Sequence, residues 1–299
     1  MKPSWTVNIV LLIIVLIGGF YAWNSSRQDP VDDSRIEISS LKLSDFSEIN
    51  IEFPSRQPTQ FKLTEQGWRM MKPYQARADE LYVYRVLGIV ATTSPVKLPA
   101  NDLEKYGLEK PELKITFANK VEEVTFLFGT YNPVNEDQYI LYNNHVYLIS
   151  GGFSETATFQ PLELIDKNPI ARFEKIKSFD FSRLEQWQEN RLRVNKDYTN
   201  WSVQGDNVAA DSKQMDEWYE ITWEKLAATS VEPYKIDPRI GYKSFDILFE
   251  NGKKVTFYRI QESPELTLYR KDEGLLYHFP GDLGFTMLNP HVMIKENSD

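Results

Sequence analysis

Polar and apolar residues alternate in "EINIEF" at residues 48–53, and short apolar runs recur in "FKL" and "WRM" on either side of "TEQG". A period of two marks a strand with one buried face, so these segments predict the opening strands of a sheet. The spacing then changes: Val83, Val86, Leu87 and Val90 fall at i, i+3, i+4 and i+7, one face of a helix. Asp79 stands at the N-cap, where a carboxylate accepts from free backbone N–H groups. Pro95 ends the helix near Thr93. A turn or two of helix is expected from Asn101 or Asp102 to Gly107, whose freedom to adopt the left-handed conformation suits a helix terminator. Strands follow in "LKITF", "VTFLF" and "QYILY", with "HVYLI" pairing back through a two-residue turn at Asn143 and Asn144. "LISGGFSET" beyond them reads as a glycine-containing loop.

The pattern returns about 130 residues later. "GWRMMKPYQARAD" at 67–79 is answered by "NWSVQGDNVAAD" at 200–211, so that Trp68 and Trp201 plug a sheet–helix junction while Asp79 and Asp211 cap the helices. Gln214 completes a capping box with Asp211, and Met215, Trp218, Tyr219 and Leu226 supply the second buried face. "FANKVEEVTF" at 117–126 matches "FENGKKVTF" at 249–257, each a strand, an Asn-led turn and a strand; Asn251–Gly252 is a strong hairpin signal. "LYNNHVYLI" at 141–149 is echoed by "LYRKDEGLLYHF" at 268–279. The expectation is an α+β chain of two tandem, mutually similar units, residues 41–165 and 166–290, each a mainly antiparallel sheet packed by a helix, with a tail at 291–299.

Ahead of them, residues 3–26 carry no charge. The run "VNIVLLIIVLIGGFYAW" is about 17 residues, close to the thickness of a bilayer core at roughly 1.5 Å per residue. Trp5 precedes it and Tyr21 and Trp23 close it, as interfacial aromatic residues do. A cleaved signal peptide is the competing reading, but "GGFYAWNSS" puts aromatic residues where a cleavage site needs small ones. Residues 1–26 are therefore expected to be a retained single-pass transmembrane anchor in the lipid bilayer, and 27–40 a linker. The short amino-terminal tail favours a cytoplasmic start, with the bulk of the chain in the periplasm or outside the cell.

Composition narrows the chemistry. The 34 basic and 43 acidic residues give a formal charge of −9 without a basic cluster, which argues against nucleic acid as a partner. With no cysteine there is no disulfide or thiolate site. His145, His278 and His291 lack metal-ligand spacing, so no metal is expected. His145 and His278 fall at nearly matching places, where a site built from both is conceivable, but exposed or hydrogen-bonded strand-edge histidines are the better reading. Asp32–Asp33 and Glu122–Glu123 read as solvated pairs rather than a general acid and base. No nucleophile elbow or P-loop occurs. The reading is a protein that is not an enzyme and needs no cofactor. Aromatic residues make up 13% of the chain, and Tyr82, Tyr84, Trp187, Trp218 and Trp223 are candidates for an interaction surface.

"GWRMMKPYQARAD", "LEKYGLEKPELKITF" and "VTFLFG" together resemble the bacterial family known as domain of unknown function 4340. The resemblance covers most of residues 45–150 and, more loosely, 175–285; the second half departs from it where Tyr242–Lys243 follow Gly241 without the Leu-x-x-Pro continuation. It implies an inner-membrane protein with an amino-terminal helix, found beside ABC-type export components, and hence an accessory or scaffold role in such a complex. A module binding an envelope polymer or lipid in the cleft between the units is the alternative.

Overall fold

The computed structural model describes Val15 and residues 35–197, 200–210 and 212–294. The expected anchor, apart from Val15, therefore lies outside the described residues, as does Asp211. Among the described residues no helix is long and apolar enough to cross a membrane.

The chain is β-rich α+β, built on antiparallel sheets with few helices. Its first eleven strands are β1 (Ile36–Glu37), β2 (Glu48–Phe53), β3 (Arg56–Thr64), β4 (Gly67–Lys72), β5 (Ala76–Arg77), β6 (Thr93–Ser94), β7 (Lys97–Pro99), β8 (Leu113–Ala118), β9 (Glu123–Tyr131), β10 (Gln138–Tyr142) and β11 (His145–Ile149). Nine of them form one sheet in the order β5-β4-β3-β2-β8-β9-β10-β11-β7, while β1 pairs with β6. The helix Glu80–Leu87 lies between β5 and β6 in the chain. Asp79 caps it as expected, its carboxylate accepting from the N–H groups of Leu81 and Tyr82. Val83, Val86, Leu87 and Val90 are buried with Ile49, Ile51, Phe117, Phe126 and Phe128 of the sheet. Full burial of each such side chain stabilises by about 1.5–3 kcal/mol.

The remaining strands are β12 (Ile176–Asp180), β13 (Arg193–Asp197), β14 (Asn200–Gln204), β15 (Val208–Ala210), β16 (Ser230–Pro233), β17 (Lys243–Phe249), β18 (Lys254–Gln261), β19 (Glu265–Arg270), β20 (Leu275–Pro280) and β21 (Val292–Ile294). Eight form a second sheet, β14-β13-β12-β17-β18-β19-β20-β16, and β15 pairs with β21. The helix Ser212–Tyr219 runs on into a π turn, Glu220–Glu224, in which Lys225 N–H reaches the Glu220 carbonyl. The wider turn lets Trp223 join Met215 and Trp218 inside. The buried hydrophobic side chains form a continuous cluster that runs through both halves.

Local signals fared unevenly. Asn143 and Asn144 both have positive φ, 45° and 60°, as a two-residue hairpin turn requires. Gly107 closes the 3-10 turn Leu103–Tyr106 at φ 68°, and a Cβ there would come within 2.7 Å of Thr130 Cγ2. At Asn251–Gly252 only Gly252 is left-handed, at φ 83°; its N–H reaches the Phe249 carbonyl, so the turn runs over Glu250 and Asn251. The expected two-residue hairpin is thus a longer turn with glycine at its exit. The glycine-containing loop after β11 is corrected too: Gly152–Ala157 is a helix, with Ala157 in the core.

Candidate binding cleft at the junction of the two sheets

Strand β5 is only two residues long, yet it is held on both sides. Ala76 and Arg77 pair with Met70 and Arg69 on β4. On the other side Asp166 N–H donates to the Arg77 carbonyl at 2.9 Å, and Asp79 N–H donates to the Leu164 carbonyl at 2.8 Å. This clasp aims Arg77 away from its own sheet and toward the β19–β20 hairpin. Its Nε donates to Glu273 at 2.8 Å, Nη1 to Asp166, and Nη2 to the Asn168 carbonyl at 2.5 Å and the Tyr277 hydroxyl at 3.0 Å. The Tyr277 hydroxyl in turn donates to Glu273 at 2.6 Å.

A second buried arginine stands beside it. Arg270 grips Glu174 through Nη1 at 2.8 Å and Nη2 at 2.5 Å, and its Nε donates to Asp272 at 2.9 Å. The side chains of Arg270 and Glu174 are each 1% exposed. Lys253 closes the set against Asp272 at 2.7 Å and Glu174 at 3.1 Å. Burial opposes charge on both arginines. For Arg77 the surrounding Tyr277, Glu273 and Asp166 outweigh burial, and for Arg270 the hydrogen bonds and charges of Glu174, Asp272 and Glu273 do so. Burial likewise favours a neutral Glu174 and Asp272, but Arg270 and Lys253 hold both carboxyls below their ordinary range, Asp272 at about 2. Burial pushes the Tyr277 phenol up, so it stays protonated and free to donate. The junction is an ionised network whose members already satisfy one another.

A cleft of about 250 Å³ opens beside this network. Trp68, Arg77, Asp79, Glu80, Arg172 and Phe173 are among the residues that line it. Arg172 leans across to Glu80 at 3.8 Å. The volume is below the usual range for drug-sized ligands, so the cleft suits one ring or one side chain of an extended partner.

The expected aromatic surface is corrected. Only Tyr84 is exposed; Tyr82, Trp187, Trp218 and Trp223 are buried. The three indoles have work inside. Their Nε1 groups donate to the last carbonyls of the helix Gly281–Leu288: Trp218 to Thr286 at 2.8 Å, Trp223 to Met287 at 3.2 Å and Trp187 to Leu288 at 2.8 Å. Helix ends leave such carbonyls without partners, and a buried one needs a donor. Trp68 and Trp201 are buried, and Trp201 Nε1 donates to Asp216 at 2.6 Å. His145 Nδ1 lies 2.9 Å from the Asn143 carbonyl, whereas His278 sits between Glu265 and Glu232 at 3.0 and 3.4 Å. The two histidines belong to different sheets. Among the described residues no group of three or more His, Asp or Glu side chains is arranged to hold a metal ion.

Arg77, Asp166, Glu174, Arg270, Asp272 and Glu273 escaped the sequence reading. One signal was present: Arg270 falls in period-two register with Leu266 and Leu268, a charge at a core-facing position of a strand. The chain matches the family described as "Domain of unknown function (DUF4340)" over residues 68–238. No curated protein and no solved structure matches it.

Proposed function

From the premise that the chain belongs to the family of domain of unknown function DUF4340, we propose that it is a membrane-tethered, non-catalytic scaffold, an accessory component of an ABC-type export complex. In this reading residues 1–26 anchor it in the bacterial inner membrane, 27–40 act as a spacer, and the body faces the periplasm or cell exterior. The body is two copies of one unit, residues 41–165 and 166–290. Matching strand orders support the duplication: β4-β3-β2-β8-β9-β10-β11-β7 runs in the same chain sequence as β14-β13-β12-β17-β18-β19-β20-β16. In each sheet a helix precedes the edge strand and another follows the last hairpin.

The observation that carries the scaffold reading is the junction. Arg77 joins the edge of one sheet to the hairpin of the other with its donors used internally, so the two sheets act as one stiff platform that presents outer surfaces. Affinity purification of the full chain from native membranes tests it, with transporter subunits expected among the retained chains. Recovery of the protein alone, while those subunits are present in the same cells, overturns it.

The cleft beside Trp68, Arg172 and Phe173 supports a second reading, in which an envelope polymer or lipid is held between the units. Retention on purified cell-wall or lipid fractions, abolished by Phe173→Glu, favours it; no retention removes it.

A further inference from the structure

The helix Glu80–Leu87 presents an outward stripe of unusual composition for a protein of net charge −9. Leu81 is 62% exposed and Tyr84 50% exposed, and Arg85 follows them on the same flank. Phe153 flanks the Arg85 end across a hollow between this helix and Gly152–Ala157. Phe159, 46% exposed, stacks over the ring of Tyr82 at 6.1 Å. Aliphatic and aromatic side chains around one arginine suit the boundary between lipid headgroups and acyl chains, where rings lie flat and a guanidinium reaches back to phosphate.

Two independent observations point to a bilayer as the occupant. The first is where the chain arrives. Strand β1 pairs with β6, Ile38 N–H donates to the Thr92 carbonyl, and Ser39 Oγ donates to the Val90 carbonyl. The polypeptide coming from the apolar run at 7–23 thus joins the body at the far end of this same helix. The intervening residues 24–35 span at most about 40 Å when fully extended, so with the run in the bilayer this end of the body stays within that reach of it. The second is the contrast with the other sheet. Its helix Ser212–Tyr219 carries, as second, fifth and sixth residues, Lys213, Asp216 and Glu217, all exposed, where Glu80–Leu87 carries Leu81, Tyr84 and Arg85. Packing the sheet therefore does not require an apolar flank, and the carboxylates of the second helix suit water rather than an anionic surface.

We propose that the flank formed by Leu81, Tyr84, Arg85, Phe153 and Phe159 seats in the interfacial layer of the membrane, laying the first sheet's helix on the bilayer and turning the second helix toward solvent. This orientation rests on the anchored reading above.

The chain has no cysteine, so single labelling sites are clean. The full chain, as Leu81→Cys or Lys213→Cys, is labelled with a polarity-sensitive fluorophore and reconstituted in phosphatidylethanolamine–phosphatidylglycerol vesicles containing nitroxide-bearing lipids. The label at 81 is expected to emit to the blue and to be quenched severalfold more than the label at 213, and adding Tyr84→Glu to the first variant reduces the quenching. Both labels sit at exposed positions, and an unchanged melting temperature verifies the fold. Equal quenching of the two labels, in protein that resists alkaline carbonate washing, overturns the proposal while sparing the anchor. A blue-shifted but unquenched label at 81 also overturns it, because protein rather than lipid then covers the flank. Loss of the chain to the wash overturns the anchor, and the docking with it.

Discussion

The helix that follows the last hairpin meets the same need in the two halves by different means. After β11, the carbonyls of Ala157 and Thr158 at the end of Gly152–Ala157 accept from the guanidinium of Arg56, at 3.0 and 2.9 Å, near the surface. After β20, three buried indoles do the same for Gly281–Leu288. Water can replace an arginine at the rim of a fold, but not an indole in its interior. The first half is thus finished with solvent-tolerant contacts. The second is finished with interior ones, and it holds three of the four buried charged side chains among the described residues, Glu174, Asp246 and Arg270, with Arg77 the fourth in the first half.

Acid should separate the halves most. Burial opposes ionisation of Asp246, yet Arg183, Lys254 and Thr256 hold its carboxyl at about 2, and Arg270 and Lys253 do the same for Asp272. Folded-state values below the unfolded ones give stability that is present above the ordinary carboxylate range, about 4, and is lost as pH falls toward about 2. Amide hydrogen exchange is expected to open β17–β20 before β8–β11 over that window. Simultaneous opening would remove the distinction.

Among substitutions, Arg270→Met should cost most, about 3–5 kcal/mol by urea denaturation, because it takes the two-pronged charge partner from buried Glu174 and leaves it only the more exposed Lys253. Trp218→Phe keeps the ring but takes one of two donors from the Thr286 carbonyl, which Asn289 N–H still reaches at 3.2 Å; about 0.5–1.5 kcal/mol is expected. Asp79→Ala should cost about 1 kcal/mol through the lost cap. The exposed pair Lys62–Glu48 sets the lower end: Lys62→Ala should change stability by no more than about 1 kcal/mol. A Trp218→Phe loss no larger than that of Lys62→Ala would show that the indole caps are dispensable.

What could be read along the chain was whatever depends on near neighbours. The buried apolar spacing of Val83, Val86, Leu87 and Val90, the cap at Asp79, the turn at Asn143–Asn144 and the terminator Gly107 all act within a few residues and are present, although the helix expected to reach Thr93 gives way after Leu87 to a 3-10 turn, Gly88–Ala91, that carries Val90. The junction was hidden because Arg77 and Glu273 are 196 residues apart. The tryptophans misled for a related reason. An indole that caps a carbonyl 64 to 101 residues away has the same local text as one that meets a partner protein, and only the docked helix tells them apart. At Asn251–Gly252 the dipeptide marked the right place but not the loop length, which the register of β17 on β18 decides.

Of the seven tryptophans, Trp187, Trp201, Trp218 and Trp223 fall in the second half and Trp68 alone lies within the first sheet. Intrinsic emission from the body is therefore a native optical reporter weighted four to one toward the second half. A fluorescence-monitored melt follows the indole-capped sheet, whereas circular dichroism sums over both, and any gap between the two curves measures how independently the halves come apart.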